Sequence, residues 1–255
     1  MGHPAVLESP IMNLPPNLDT QIRRAAREFW NARALARHEQ TKRGTSDSGQ
    51  RAEVTAGRSL DGFRSLIMDT IRRNSCQETI IHDGRKAVSL PGYFRPSKSW
   101  DLLAVRKGQL VLCVELKSLG GPSFGNNANN RAEEAIGSGY DFRRAQHHGQ
   151  FGDGSRPFLG YLILVEDDPG SSRAVGVHSP HFDVDPTFRD ASYQSRMRIL
   201  CERLTEQQVY SSAAVLVTPR PANRNARGSY SDLSEPTSFR RLLTRLAAHV
   251  SGECQ

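Results

Sequence analysis

Two short apolar runs constrain the fold of this chain more than any other feature of its sequence. They are Phe158–Val165 (FLGYLILV) and Ala213–Val217 (AAVLV). Short runs dense in Leu, Ile and Val are typical of strands buried on both faces, and such strands need helices above and below the sheet. Helical patterns precede, separate and follow the two runs. The sequence therefore predicts an α/β fold with a mixed central sheet flanked by helices.

Apolar periodicity and turn residues place the other elements along the chain. Helices are expected at Asp19–Arg37, after a cap at Ser59, at Arg131–His147, at Ser192–Gln208 and from about Pro236. Strands are expected at Thr79–His82, Lys86–Leu90, Trp100–Arg106 and Leu110–Ser118. Loops are expected at 44–57, 91–99, 120–130 and 219–234.

The charge balance indicates a class of partner. Lys and Arg outnumber Asp and Glu by 34 to 27, which gives a net charge of +7. A basic protein of this size has nucleic acid as its first candidate partner, although a basic enzyme of another class fits the charge equally well. The sequence has no apolar run long enough for a transmembrane helix and no secretory signal pattern. Its four cysteines lie far apart, so neither a zinc knuckle nor a disulfide framework is expected, and a reducing cytoplasm fits best.

Charged residues interrupt the two apolar strands of the segment 100–118 (WDLLAVRKGQLVLCVELKS). Because side chains alternate along a strand, Glu115 and Lys117 share one face. Asp101 in the preceding strand lies opposite Glu115 if the hairpin has a three-residue turn, Lys107–Gln109. A two-residue turn puts the two carboxylates on opposite faces unless a β-bulge shifts the register.

Two carboxylates and a lysine on one sheet face suit a hard cation such as Mg²⁺, which oxygen ligands bind together with substrate phosphate. Lys117 would then orient an attacking water, help to deprotonate it, or neutralise charge on the phosphate. The arrangement resembles the active site of the PD-(D/E)xK nuclease superfamily, although Trp100 stands at the proline position. On spacing alone, Glu-x-Lys is a common pattern, and a structural salt bridge at a strand end is the better explanation of Glu115 and Lys117.

Longer segments carry a more specific resemblance. The sequence resembles the XhoI family of type II restriction endonucleases in five stretches: EVTAGRSLDGF (53–63), LPGYFRPSKSWDLL (90–103), ELKSLGGPSFGNNANNRAEEAIG (115–137), LVEDDPGS (164–171) and SPHFDVDPTFRDASY (179–193). The prolines at the start of the chain predict a flexible arm at 1–18. The resemblance implies a restriction-endonuclease-like fold, with a single endonuclease domain at 19–255 whose catalytic core spans about 59–217.

The resemblance also implies an activity. A homodimer in the bacterial cytoplasm would cut double-stranded DNA at the palindrome 5′-CTCGAG-3′, after the first cytosine, with Mg²⁺ as cofactor. A DNA methyltransferase acting on the same site would protect the host. Amphipathic helices at both ends of the chain offer candidate dimer surfaces. The alternatives are a non-catalytic DNA-binding protein on a nuclease fold and a structure-directed nuclease of the same superfamily.

Carried onto this sequence, the family pattern makes Asp101, Glu115 and the main-chain carbonyl of Leu116 the metal ligands. Lys117 becomes the residue that orients water. Asp61 is a further candidate metal ligand, and its simpler role is a first-turn acid that stabilises its helix.

The segment GNNANNR (125–131) is the main candidate for reading DNA bases. Asparagine can bond two-pronged to adenine, and arginine to guanine. The candidate readers are Asn126, Asn127, Asn129, Asn130 and Arg131. The alternatives are that the asparagines only satisfy turn geometry, or that the readers are Arg220, Asn223, Arg224 and Arg227. Arg95 and Lys98 are expected to grip phosphate.

Overall fold

The computed structural model describes residues 12–43, 59–84, 87–152, 154 and 156–254. The predicted loop at 44–57 and residues 1–11 of the predicted arm lie outside this part of the chain. The helices are α1 (Leu18–Arg43), α2 (Asp61–Asn74), α3 (Phe124–His147), α4 (Pro169–Ser172), α5 (Tyr193–Glu206) and α6 (Phe239–Gly252). The strands are β1 (Thr79–His82), β2 (Ser89–Pro91), β3 (Ser97–Ser99), β4 (Leu102–Arg106), β5 (Gln109–Leu119), β6 (Phe158–Glu166), β7 (Ser212–Thr218) and β8 (Ser231–Asp232).

Six strands form one mixed sheet in the order β1-β4-β5-β6-β7-β8. The pairs β5–β6 and β6–β7 are parallel, so the carboxyl ends of β5, β6 and β7 meet at one edge. Helices α1, α2 and α6 cover one face, and α3 and α5 cover the other. Every residue of β6 and β7 is buried, as the two apolar runs predicted. The predicted α/β fold with a mixed, helix-flanked sheet is confirmed.

The β4–β5 hairpin follows the second of the two geometries that the sequence allowed. Its turn has two residues, Lys107 (φ 50°) and Gly108 (φ 78°), with Arg106 paired to Gln109. Positive φ at both positions is the turn that matches the twist of the strands. A register shift between Ala104 and Val105 then restores the pairing of Leu102 with Val114. Without that shift, Asp101 would point away from Glu115, because a one-residue slip moves a side chain to the other face.

The prediction of a loop at 120–130 is wrong, because helix α3 begins at Phe124. Phe124, Ala128 and Ala135 bury one face of this helix against the sheet. Packing of that face outweighs the low helix propensity of asparagine. Ser59 does not cap α2 either, since that helix begins at Asp61. The expected turn at 91–99 contains β3, which forms a small separate sheet with β2.

The apolar faces of the two terminal helices are used inside the molecule. Ile22, Ala26 and Phe29 of α1 and Leu242 and Leu246 of α6 all lie in the core. These faces are therefore not the dimer surfaces that the sequence suggested, because each is already buried. No helix in the described part of the chain is long and apolar enough to cross a membrane.

The spacing of the cysteines did not predict one disulfide. Cys76, just after α2, and Cys254 form a disulfide with a Cα–Cα distance of 5.7 Å. The two residues lie 178 positions apart, so nothing local in the sequence indicates the pair. The other two cysteines, Cys113 and Cys201, are buried and free.

Candidate active site

The hairpin brings Asp101 to the centre of β5. The Asp101 amide donates to the Val114 carbonyl at 3.2 Å, which continues the β4–β5 pairing by one residue. Its carboxylate Oδ2 in turn accepts from the Leu116 amide at 2.7 Å. The Asp101 carboxylate is thereby held beside the peptide that joins Glu115 to Leu116.

Glu115 is the most enclosed charged group of the site, with 1% of its surface exposed. Its Oε1 lies 2.8 Å from Lys98 Nζ and 3.1 Å from Lys117 Nζ. The Tyr210 hydroxyl donates toward Glu115 Oε2 at 3.3 Å and toward the Ala135 carbonyl at 3.1 Å. Burial alone would raise the pKa of Glu115, but Lys117 and Lys98 outweigh burial and hold that pKa below its ordinary value. Glu115 is therefore an ionised carboxylate.

The other two members of the trio have shifted pKa values as well. Burial raises the pKa of Asp101; the Leu116 amide opposes this shift, and the negative charge of Glu115 adds to it. Burial lowers the pKa of Lys117, but Glu115 outweighs that effect and raises it above the ordinary value. Lys117 is accordingly a stable ammonium ion. Of the roles predicted for it, orienting water and neutralising charge fit this state, and abstraction of a proton does not.

A chain of ion pairs connects Lys117 to α3. Lys117 Nζ lies 3.6 Å from Glu134 Oε2, which also pairs with Arg131 NH1. Sequence reasoning missed Glu134, whose only signal is its position three residues after Arg131 on one helix. It also missed Tyr210, because nothing near Tyr210 in the sequence indicates that its hydroxyl reaches Glu115.

Two residues expected to grip phosphate have protein partners. Lys98 binds Glu115 and lies 4.4 Å from the centre of the Trp100 ring. Arg95 Nε donates to Asp141 Oδ2 at 2.8 Å and so ties the segment before β3 to α3. Lys98 therefore belongs to the carboxylate site in this structure, and Arg95 to the scaffold around it.

The candidate base readers lie on the first turns of α3. Asn126, Asn129 and Asn130 are exposed, Asn127 is half-buried, and Arg131 is engaged with Glu134. Within the described residues, the side chains of Asn126, Asn129 and Asn130 form no hydrogen bond. They do not serve a turn, since the segment is helical, and they are free to contact a ligand.

Asp61 stands apart from the trio. It lies in the first turn of α2, where its carboxylate pairs with Arg64 at 2.8 Å. Helix α2 packs on the face of the sheet that Leu112, Val114 and Leu116 line, opposite to the face of Glu115. This position matches the simpler of its two predicted roles, a first-turn acid of the helix.

Asp101 and Glu115 are the residues that could hold a cation. Across the described residues, no group of three or more Asp, Glu, His or Cys side chains gathers as a metal site. The donors near β5 are thus two neighbouring carboxylates, and the Leu116 carbonyl could add a third oxygen. Oxygen donors alone, next to a positively charged lysine, fit Mg²⁺ and a phosphate better than a softer metal.

Comparisons with known proteins agree on one family. A family model described as restriction endonuclease XhoI matches residues 39–232. Type II restriction enzyme XhoI of Xanthomonas vasicola is 46% identical over 187 residues, which cover 73% of this chain and 75% of that relative. Type II restriction enzyme AbrI of Azospirillum brasilense is 45% identical over 164 residues, 64% of this chain and 73% of that relative.

A third relative extends the match. Type II restriction enzyme BstVI of Geobacillus stearothermophilus is 37% identical over 212 residues, 81% of this chain and 93% of that relative. No solved structure matches the chain. The span matched by the family model contains the trio on β4 and β5 and the asparagines of α3.

Proposed function

The chain belongs to the XhoI family of type II restriction endonucleases, and from that premise we propose that it cuts both strands of DNA at the palindrome 5′-CTCGAG-3′, after the first cytosine, with Mg²⁺ as cofactor. The fold is proposed to be that of the PD-(D/E)xK nucleases. The observation that carries the proposal is the meeting of Asp101, Glu115 and Lys117 on one face of the β4–β5 hairpin.

The residues of the site would have different roles in phosphodiester hydrolysis. Asp101, Glu115 and the Leu116 carbonyl would hold Mg²⁺, whose charge would neutralise the phosphate and make bound water more acidic. The Lys117 ammonium orients the attacking water and stabilises the negative charge that develops on the phosphate. Glu115 keeps Lys117 charged and in place. Asp61 is left out of the proposed ligand set because Arg64 binds its carboxylate on the other side of the sheet.

We further propose that the enzyme acts as a homodimer on double-stranded DNA. One site cuts one phosphodiester, so cutting both strands of a palindrome calls for two sites related by the dyad of the DNA. Phe94, Ile136 and Tyr140 are large, exposed apolar residues, and Phe94 stacks on Tyr140 with ring centres 5.8 Å apart. They offer apolar contact area for a second copy. Sedimentation that finds a monomer both free and on cognate duplex would refute the dimer.

Incubation with plasmid DNA and Mg²⁺ tests the function directly. The expected result is a set of discrete fragments whose ends map to 5′-CTCGAG-3′, and Glu115→Gln should produce none. A smear would indicate a nuclease without sequence preference. Discrete fragments with other ends would keep the enzyme class and overturn the recognition site. Binding without any cleavage would indicate a DNA-binding protein on a nuclease fold.

A further inference from the structure

A cluster of arginines lies at the edge of the sheet where β5, β6 and β7 end. Its members come from three places in the chain: Arg33 on α1, Arg131 on α3 and Arg220 after β7. Arg37, one turn after Arg33, adds a fourth guanidinium. Together these residues are called the arginine cluster below.

One buried carboxylate anchors Arg220 within the cluster. Glu166, the last residue of β6, is 4% exposed and forms an ion pair with Arg220. Arg220 NH2 donates to Glu166 Oε2 at 3.0 Å, and the Gly121 amide donates to the same oxygen at 3.0 Å. Arg33 NH1 donates to Ser118 Oγ at 3.1 Å, which ties α1 to β5.

The guanidinium groups of the cluster act on one another, although Glu166 pairs with Arg220 and Glu134 pairs with Arg131. Burial lowers the pKa of Arg33, and the positive charges of Arg37, Arg220 and Arg131 lower it further, while Glu166 alone among its strongest neighbours opposes them. The Arg220 side chain is 46% exposed, and Arg37 is also exposed. Guanidinium groups carry five N–H donors each, so both can bind an anion from solvent while keeping their contacts to the protein.

The cluster adjoins the trio on β4 and β5. Ser118, the partner of Arg33, follows Lys117 one residue before β5 ends, with its side chain on the opposite face of the sheet. Arg131 lies close enough to act electrostatically on both Lys117 and Arg33. An extended anion whose reacting phosphate lies at Lys117 and that passes over the end of β5 therefore reaches the cluster with its neighbouring phosphates, which follow one another by about 3.4 Å along the axis of each DNA strand.

We propose that Arg33, Arg37 and Arg220 bind the phosphodiester backbone next to the scissile phosphate, with Glu166 holding Arg220 in place. The inference rests on the proposed function, since duplex DNA is the anion. Arginine suits this role because its planar fork binds phosphate oxygens two-pronged. Contacts to the backbone fix the position of the protein on the duplex and do not select sequence. The cluster thus has a task different from that of the asparagines on α3.

The test is the salt dependence of DNA binding. Full-length wild-type protein and Arg37→Gln are titrated with a duplex containing 5′-CTCGAG-3′ and with a one-base variant of it, with Ca²⁺ in place of Mg²⁺, at several salt concentrations. Loss of one phosphate contact should reduce the slope of log affinity against log salt by about 0.9. The ratio of the wild-type affinity to the Arg37→Gln affinity should then fall about three- to four-fold between 50 and 200 mM salt, equally for both duplexes.

Arg24→Gln is the matched control. Arg24 is exposed on the same helix and pairs with Glu28 at 2.7 Å. It lies about 20 Å along the helix axis from Arg37. It should keep the wild-type slope.

A second variant tests the buried part of the cluster. Arg220→Gln is combined with Glu166→Gln, so that the buried Glu166 carboxylate is not left without Arg220, and thermal unfolding checks the fold. The pair should also reduce the slope. If Arg37→Gln and the double variant both keep the wild-type slope while folded, the cluster is only a structural tie and the inference fails. A failure of the proposed function would be distinguishable from this result, because the wild-type protein would then not cut plasmid DNA in the presence of Mg²⁺.

Discussion

Two regions lie only a few residues apart in the chain: the end of β5, which carries the proposed active site, and the first turns of α3. Their polar side chains differ in how far they are bound by the rest of the protein. On β5, Glu115 is bound by two ammonium groups and a hydroxyl, and the neighbouring Asp101 is bound by a main-chain amide. On α3, Asn126, Asn129 and Asn130 face solvent.

The difference fits the role that we propose for each region. A group that acts on a transition state contributes most when its position is fixed before substrate arrives, and burial with several partners achieves that. A group that reads a base must exchange water for the base edge, so a partner within the protein would compete with the DNA. The enclosed carboxylate of Glu115 therefore suits the proposed chemistry, and the exposed amides of α3 suit base reading.

The sharpest test of the fixed region is Lys117→Ala. Loss of this charge should slow cleavage about a hundred- to thousand-fold, because one group that stabilises developing charge is removed. Single-turnover cleavage of cognate duplex at saturating Mg²⁺ measures it. Lys107→Ala is the control, since Lys107 is an exposed lysine of the same hairpin that pairs with Glu78 at 3.0 Å. Near-normal cutting by Lys117→Ala would remove Lys117 from the active site.

Lys98→Ala separates the two roles assigned to Lys98. Since Lys98 pairs with a buried carboxylate, its loss should lower the free energy of unfolding by about 1.5–3 kcal/mol and leave the salt dependence of DNA binding unchanged. Urea unfolding and salt titrations measure the two quantities. A flatter salt dependence with unchanged stability would instead return Lys98 to the phosphate contact predicted from the sequence.

Asn129→Ala tests the open region. If Asn129 reads a base, discrimination between 5′-CTCGAG-3′ and one-base variants should fall by about 1–3 kcal/mol, with single-turnover cleavage of the cognate site much less affected. Competition binding measures the ratio. Gln150→Ala, an exposed amide just beyond the other end of α3, is the control and should keep the wild-type ratio. An unchanged ratio in Asn129→Ala, and in the same substitution at Asn126 and Asn130, would move the readers elsewhere.

The smallest expected effect concerns pH. Burial raises the pKa of Asp101 above the ordinary value of 3.8, so Asp101 takes up a proton at a higher pH than an exposed aspartate. As the pH falls through that raised pKa, the carboxylate loses its charge and cleavage at limiting Mg²⁺ should fall with it. Raising the Mg²⁺ concentration should shift this acid limb to lower pH, because the cation competes with the proton.

Base discrimination should not follow the same curve, because amides do not titrate in this range. An acid limb that ignores the Mg²⁺ concentration would contradict the assignment of Asp101 as a metal ligand. If the ratio of cognate to one-base-variant binding changed with pH together with the cleavage rate, the two regions would not act independently.

The sequence by itself determined what depends on local periodicity and on residue identity. The apolar runs predicted the buried strands β6 and β7, and strand alternation put Glu115 and Lys117 on one face. The segments shared with the XhoI family identified the enzyme class. Each of these follows from residues that lie close together in the chain. Over such short distances, the alternation of side chains along a strand or the sequence of a motif is enough to predict which residues share a face or a function.

Tertiary structure decided what depends on contacts between distant residues. The bulge after Ala104 set the register that turns Asp101 toward Glu115. Burial of Phe124 and Ala128 made a helix of an asparagine-rich segment expected to be a loop. The contact of Tyr210 with Glu115 and the gathering of arginines around Glu166 join parts of the chain that no local pattern relates. These features arise because each apolar face must be buried and each enclosed charge must find a partner, and only the packed chain decides which residues meet.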